Sequence, residues 1–185
     1  MTHFLIATAL VLCCLCGDYA RADTNAIPPQ HTFPTVTSSD LNGKKVTLPR
    51  DFDATLNLCL IAFDRGQQKN IDTWTAGTKE LVSTTGVSVY EIPTIKKMPG
   101  FIRGFITSGM RQGIAEEAVR AHTITLFIDK SPFRASLGLG TEKTIYAVLV
   151  NRTSEVLWSQ EGDYTDAAKA ELARAIAAAK SSPKP

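Results

Sequence analysis

One stretch constrains the fold more than any other: a nearly continuous apolar run over residues 56–63, which ends at a short polar elbow. The run reads Leu-Asn-Leu-Cys-Leu-Ile-Ala-Phe, and the elbow at residues 64–68 reads Asp-Arg-Gly-Gln-Gln. A strand that is covered on both faces loses the usual alternation of apolar and polar residues, so the run predicts a buried parallel strand. A helical pattern begins near residue 69. Strand, elbow and helix together predict an α/β domain.

The composition fits a single globular domain. A length of 185 residues and an apolar content of 44% are enough to build one hydrophobic core. The formal net charge of +2 is spread along the chain. A nucleic-acid partner is therefore not expected, because such a partner requires a concentrated basic stripe.

The N-terminal residues predict export. An apolar segment at residues 4–16 is too short to span a bilayer, which takes about 20 apolar residues, and Ala20 and Ala22 predict cleavage before Asp23. An uncleaved N-terminal anchor is the alternative, because the first three residues carry no Lys or Arg. We therefore expect a periplasmic or secreted protein with a signal peptide (1–22), a flexible leader (23–32), one domain (33–180) and a disordered tail (181–185).

Removal of the signal peptide leaves Cys59 as the remaining one of the four cysteines. No intramolecular disulfide can then form in the mature chain. Cys59 lies inside the apolar strand, where a free cysteine behaves as a small buried hydrophobe. The alternative is a reactive nucleophile.

The rest of the chain alternates between strand and helix patterns. Asn42-Gly43 predicts a two-residue hairpin turn, because both positions of such a turn need φ > 0. Ser131-Pro132 predicts a helix start, and Trp74 falls on the apolar face of the first helix, where we expect it in the core rather than in a binding site. Strands are predicted over residues 36–41, 45–48, 87–92, 123–128, 145–150 and 155–159, and helices over 69–82, 115–120 and 165–180. This order predicts a mixed β-sheet flanked by helices, with an N-terminal β-hairpin and a helical insert.

Three stretches carry a resemblance to known families. The opening resembles the thioredoxin-like superfamily in FPTVTSSDLNGKKVTLPRDF (33–52) and LNLCLIAF (56–63), and TIYAVLVNRTSEVLWSQEGDYTDAAKAELARAI (144–176) looks like its last hairpin and helix. The middle of the chain is similar to the mitochondrial ATP synthase assembly factor group, a redox-inactive branch of that fold, in YEIPTIKKMPGFIRGFITSGMRQGI (90–114) and FRASLGL (133–139). The resemblance implies a thioredoxin-like domain with an assembly role.

The chain departs from the active members of that superfamily at three places. No cysteine stands near residues 65–68, where a thioredoxin has two, and Gln67, Gln68 and Lys69 occupy the region of a peroxidatic cysteine. Thr144-Ile145 stands where a thioredoxin has a cis-proline, and a cis bond at a non-proline residue costs about 2.5–4 kcal/mol. The resemblance therefore implies a protein without thiol–disulfide exchange.

No catalytic or metal site is predicted from the remaining polar residues. His31 and His122 are isolated from each other and from paired carboxylates, so no zinc-like ligand set is expected. No Gly-x-Ser-x-Gly elbow is present, and we expect no cofactor.

Two stretches remain as candidate binding sites. The first is the elbow, with Asp64, Arg65, Gln67 and Gln68 at the carboxyl end of the central strand, where ligands of open α/β sheets bind. Its alternative is a solvated elbow with an ion pair worth less than about 1 kcal/mol.

The second candidate is the insert over residues 90–114. Apolar groups stand beside basic groups there, a pattern that suits a membrane surface or a protein partner. The alternative is a helix that packs into the core with solvated charges. Its candidate binding residues are Phe101, Arg103, Phe105 and Arg111.

Three functional hypotheses follow from the sequence. The leading one is an exported, redox-inactive thioredoxin-like module that binds a protein partner, at a membrane surface or within a membrane complex. The second is an enzyme that uses the non-thiol polar residues of the elbow. The third is a plain stress or envelope protein in which Cys59 matters only for packing. The oligomeric state does not follow from the sequence.

Overall fold

The computed structural model describes residues 31–181. The predicted signal peptide, most of the predicted leader and residues 182–185 lie outside this range. Within it, Thr32 forms a hydrogen bond through its backbone N–H to the Ser136 carbonyl, at 3.0 Å. The last helix continues to Ser181 at the other end. The domain therefore includes Thr32 and Ser181.

A five-stranded mixed sheet forms the centre of the domain, in the order β5-β4-β3-β6-β7. The middle strand β3 (Leu56–Ala62) is parallel to β4 (Ser88–Lys96) and antiparallel to β6 (Tyr146–Asn151). The outer strands are β5 (Leu126–Ile128), parallel to β4, and β7 (Val156–Glu161), antiparallel to β6. The predicted fold class is confirmed.

Five helices connect and cover the strands of the described part of the chain. A single 3-10 turn, Arg65–Gln67, leads from β3 into the first of them. Helix α1 ends at Gly86, which has the left-handed φ of 69° that favours glycine. The helices are α1 (Gln68–Thr85), α2 (Gly100–Gly113), α3 (Glu117–Ala121), α4 (Lys130–Leu137) and α5 (Asp166–Ser181).

Each face of the sheet has its own hydrophobic core. On one face, Leu58 and Leu60 of β3 pack with α1 and α5. Trp74 of α1 belongs to this core, is fully buried and donates a hydrogen bond from Nε1 to the Gly162 carbonyl at 2.9 Å. The predicted core position of Trp74 is confirmed. On the opposite face, Cys59 packs with residues of α4 and the N-terminal hairpin.

The N-terminal hairpin consists of β1 (Val36–Ser39) and β2 (Lys45–Leu48), and its turn differs from the prediction. Only Gly43 of the predicted pair has a positive φ, at 92°. The Gly43 N–H donates to the Asp40 carbonyl at 3.1 Å. Asp40 Oδ1 also accepts from the backbone N–H groups of Asn42 and Lys44, at 2.9 and 2.8 Å. This aspartate stabilises a longer turn with one glycine in the left-handed region, so the predicted two-residue turn was wrong.

Two other predicted boundaries also shift. Helix α4 is capped by Asp129, whose Oδ1 accepts from the Ser131 N–H at 3.1 Å. An aspartate caps as well as a serine and adds a favourable charge at the helix N-terminus, so the earlier residue is the cap. Strand β4 continues past Ile92, where the prediction ended it, to Lys96, because its pairing with β5 begins at Thr94.

Candidate functional site

The elbow after β3 is held by its own polar side chains. Asp64 Oδ1 accepts a hydrogen bond from the Gly66 N–H at 2.7 Å. Gln67 Oε1 accepts from the N–H groups of Phe63 and Asp64, at 2.8 and 3.2 Å. Each side chain therefore satisfies backbone donors at the start of the helical segment, in a reciprocal capping box. Two of the four predicted elbow residues are committed to local structure.

Gln67 also connects the elbow to the loop that precedes β6. Its Nε2 donates to the Glu142 carbonyl at 2.8 Å, and the side chain is buried. Lys130 reinforces the same junction, because its Nζ donates to the Phe63 carbonyl at 3.0 Å and to Glu142 Oε2 at 3.1 Å. The Lys130 ammonium also lies 5.9 Å from the centroid of the Phe63 ring. These bonds fix the elbow to the loop that precedes β6.

Arg134 completes this cluster on the other side of Glu142. Its Nη1 donates to the Gly140 carbonyl at 2.8 Å, and its Nε lies 3.3 Å from Glu142 Oε1 as an ion pair without hydrogen-bond geometry. Sequence reasoning missed Lys130, Arg134 and Glu142. No local pattern could have identified them, because Gln67 and Glu142 are brought together only by the pairing of β3 with β6.

Arg65 and Gln68 remain at the elbow surface. Both side chains are exposed. The Arg65 guanidinium has no ion-pair partner within residues 31–181, whereas Gln68 Nε2 donates to Asp72 Oδ1 at 3.1 Å. These two positions have the spacing of a Cys-x-x-Cys pair at a helix N-terminus. The place that would carry such a pair thus carries a guanidinium and an amide.

Cys59 is remote from the elbow surface. It is fully buried in β3, between Tyr90 of β4 and Val148 of β6, as predicted. Burial raises the pKa of the Cys59 thiol far above its ordinary value. It stands five positions before Asp64, about 16 Å at the rise of an extended chain. Its thiol is therefore protonated and inaccessible at neutral pH.

Glu91 of β4 is a half-buried carboxylate that interacts with Gln68 of the elbow. Burial raises the pKa of its carboxyl, a hydrogen bond from Gln68 opposes that shift, and the charge of Asp72 reinforces it. The ionised carboxylate is therefore less favourable in the folded protein than in the unfolded chain.

No group of three His, Cys, Asp or Glu residues within residues 31–181 could hold a metal ion. Over the same residues, no helix is both long enough and apolar enough to cross a membrane.

Helix α2 turns part of its apolar residues to solvent, whereas Ile106 and Met110 are half-buried. Phe101 and Phe105 are 80% and 82% exposed, Ile102 is 37% exposed, and none of the residues of α2 is fully buried. A surface helix of a globular domain ordinarily directs its apolar side to the core. For these side chains the core-packing alternative is therefore wrong. We call Phe101, Ile102 and Phe105 the apolar face of α2.

The other side of α2 faces an open groove of about 610 Å³. Its second wall is the β1-β2 hairpin, and its floor is β5, the edge strand of the sheet. The predicted docking residues of the insert therefore belong to two surfaces, because Arg103 and Arg111 line the groove while Phe101 and Phe105 do not. We call this the α2 groove; its polar lining includes Arg103, Ser108 and Arg111 of α2, and Ser38, Asp40 and Lys45 of the hairpin.

Comparisons with known proteins identify the fold. No protein-family model matches the sequence, and no curated protein matches it. Among solved structures, BsSco, a member of the Sco family of cytochrome c oxidase assembly proteins, matches with a TM-score of 0.53 at 12% identity, over 84% of this chain and 97% of that chain. The thioredoxin domain of a thiol-disulfide oxidoreductase from Bacteroides vulgatus matches with a TM-score of 0.50 at 15% identity, over 78% and 95% of the two chains.

These matches and the sheet order define the class: the chain has a thioredoxin-like fold. At such low identities the likeness concerns the fold alone. Thr144-Ile145 has a trans peptide bond, because the only cis bond within residues 31–181 joins Leu48 to Pro49.

The burial of Cys59 predicts slow thiol chemistry. In a chain that lacks residues 1–22, and with them the other three cysteines, a disulfide-exchange reagent such as dithionitrobenzoate should modify Cys59 at least about a hundredfold more slowly in native buffer than in denaturant, because access requires unfolding of β3. Stopped-flow absorbance measures both rates. Equal rates would contradict the placement of Cys59 between the two neighbouring strands.

The raised pKa of Glu91 predicts a pH-dependent gain in stability for Glu91→Gln. Below the ordinary glutamate pKa of about 4.3, the carboxyl is protonated in both states and the substitution should change little. As the pH rises above that value, the unfolded chain ionises first and the wild-type protein loses stability, so Glu91→Gln should melt higher at pH 7.

Thermal melts at pH 4 and pH 7 test this, with Glu80→Gln on the exposed side of α1 as the matched control. A Glu91→Gln gain that is the same at both pH values would show that charge burial is not its cause.

Proposed function

We propose that this chain is an exported thioredoxin-like domain without thiol–disulfide activity that binds a protein partner, as an assembly module for a membrane complex. The observation that carries the proposal is the orientation of α2, whose aromatic side chains are turned away from the domain. Supporting it is the resemblance of residues 90–114 to the ATP synthase assembly factor group. The Sco protein named above is itself described as an assembly protein, so the fold is compatible with such a role.

The apolar face of α2 has the properties of a docking surface. Phe101 and Phe105 stand one helical turn apart and so present adjacent rings. Burying a phenylalanine side chain that is exposed in the free protein contributes about 1.5–3 kcal/mol, and aromatic residues are enriched at the centres of protein interfaces. A partner that covers both rings would therefore gain a substantial part of its affinity from them.

The lack of thiol–disulfide activity follows from the elbow. Thiol exchange needs an accessible thiolate, and the elbow carries Arg65 and Gln68 at the two relevant positions. Cys59 cannot replace them, because it is buried and protonated. No observation favours the alternative of an enzyme that uses the elbow, since Asp64 and Gln67 are engaged with the backbone.

The redox proposal predicts no turnover with insulin. The mature protein should reduce insulin disulfides no faster than dithiothreitol alone, as followed by turbidity. The positive control is the double variant Arg65→Cys with Gln68→Cys. It places a Cys-Gly-Gln-Cys sequence at the helix start, where thiolates are stabilised. Wild-type turnover that disappears in Cys59→Ala would contradict the proposal.

The docking proposal predicts that Phe101→Ser with Phe105→Ser weakens partner binding and leaves the stability of the fold nearly unchanged. Because both rings are mostly exposed, the free energy of unfolding should change by no more than about 0.5 kcal/mol. The same double variant should retain at least about tenfold less partner than the wild type, since the interface loses its aromatic centre. Affinity capture from the host's own envelope extract, with quantitative mass spectrometry, measures this loss.

Leu157→Ser is the matched control, because Leu157 is a 37% exposed apolar residue on β7. It should leave capture unchanged. Equal capture by the double variant and the wild type would remove the docking proposal. Flotation with anionic vesicles completes the test, because binding to vesicles without any captured protein would replace the protein partner by a lipid surface.

A further inference from the structure

The α2 groove carries positive charge that the domain does not neutralise. Arg103, Arg111 and Lys45 line it, and none of the three forms an ion pair within residues 31–181. Asp40 is the acidic side chain in the lining, and its Oδ1 already accepts two backbone hydrogen bonds from the hairpin turn. The groove therefore has three cations available to an anionic ligand.

The local sequence preserves this charge. Residues 92–115 contain no Asp or Glu, whereas they contain Lys96, Lys97, Arg103 and Arg111. Hydroxyl groups of Thr107 and Ser108 lie along the same wall of the groove, between the two arginines. Hydroxyl and guanidinium donors side by side are the groups that bind carboxylates.

The spacing of the two arginines selects an elongated ligand. Arg103 and Arg111 are eight residues apart on one helix, so their Cα atoms are separated by about 12 Å along its axis. Arg103 bends towards the start of the helix, away from Arg111, since its Nη2 lies 3.6 Å from the position that a Cβ would take on Gly100. A single phosphate or carboxylate is too small to contact both. In an extended peptide, however, side chains at i and i+4 point to the same side and are about 13 Å apart.

We propose that the α2 groove binds an extended acidic peptide segment, whose carboxylates at i and i+4 pair with Arg103 and Arg111. This inference rests on the proposed function, in which the chain binds a protein partner, and it names the chemistry of the partner. The apolar face of α2 and the groove then contact two different parts of that partner. The segment lies between α2 and the hairpin, over the floor formed by β5.

Peptide binding to the full mature chain tests the inference directly. The probe is a fluorescent Thr/Val peptide with two glutamates at i and i+4, followed by fluorescence polarisation at low salt. Its matched controls carry glutamines at the same positions, or the two glutamates at i and i+3, which puts them on opposite sides of an extended chain. The i, i+4 glutamate peptide should bind at least about tenfold more tightly than either control.

Variants locate the site. Arg103→Gln with Arg111→Gln should weaken the acidic peptide by about tenfold or more, whereas Arg174→Gln, at a 74% exposed arginine on α5, should not. Gly104 lies on the groove wall, and a side chain added there would extend into open space, so Gly104→Leu should block the peptide by filling the groove. Circular dichroism melts verify that each variant is folded.

Several outcomes would overturn the inference. These are equal binding of the glutamate and glutamine peptides, equal loss in Arg174→Gln, and arginine-dependent binding of phosphatidylglycerol vesicles or inorganic phosphate without peptide binding. The test is separable from the docking proposal, because Phe101→Ser with Phe105→Ser should leave peptide binding unchanged. If the acidic peptide does not bind while Phe101→Ser with Phe105→Ser still reduces partner capture, only the assignment of the groove is contradicted. If the acidic peptide binds while the phenylalanine double variant captures as much partner as the wild type, only the proposal for the apolar face of α2 is contradicted.

Discussion

The burial of β3 on both faces is the constraint on which the rest of the structure depends. Leu58, Cys59, Leu60 and Ile61 are completely buried, and alternate residues enter the two cores on opposite sides of the sheet. Because each face needs a cover, the hairpin and α4 occupy one side, and α1 and α5 occupy the other. The elbow follows the carboxyl end of this central strand and lies next to the loop that precedes β6.

The side chains of the elbow stabilise its own backbone and its junction with a distant loop. In an active thioredoxin this position carries the thiols, and a helix N-terminus favours their ionised form. Here Gln67 satisfies two backbone donors and reaches across to the Glu142 carbonyl. Lys130 binds both Phe63 and Glu142 at the same junction. These bonds stabilise the elbow, and Arg65 and Gln68 remain exposed at its surface.

Local patterns were sufficient to predict the strands and helices of the core, and insufficient for the site. The apolar run that became β3 and the spacing that placed Trp74 inside α1 are set by periodicity alone. The turn at Asp40 was missed because its stabilising side chain lies outside the two residues of the apparent turn. The contact of Lys130 and Glu142 with the elbow depends on the pairing of β3 with β6, which are distant in sequence.

Helix α2 shows a different limit of sequence reasoning. The sequence groups Phe101, Ile102, Phe105 and Ile106 on one side of a helix, but Ile106 is half-buried while the other three are exposed. The glycines at positions 100, 104, 109 and 113 did not prevent a regular helix from forming. Periodicity identifies the two faces of such a helix but does not tell which face is turned to the domain. Which face is turned to the domain depends on the residues that α2 contacts. Arg103 and Arg111 line the groove beside the hairpin and β5, and Met110 contacts Thr125, so the side with Phe101 and Phe105 is left outside.

The most direct test of the account is the orientation of α2 in solution. A photo-reactive phenylalanine analogue, placed one position at a time along the helix of the full chain, reports what each side chain faces. The account predicts that probes at Arg103 and Thr107 crosslink within the same chain to the β1-β2 hairpin. Probes at Phe101 and Phe105 should give no such intramolecular product and should crosslink only to other molecules. Crosslinks from Phe101 and Phe105 to residues of the hairpin or the sheet would show that α2 packs its aromatic side inward, and would contradict the account.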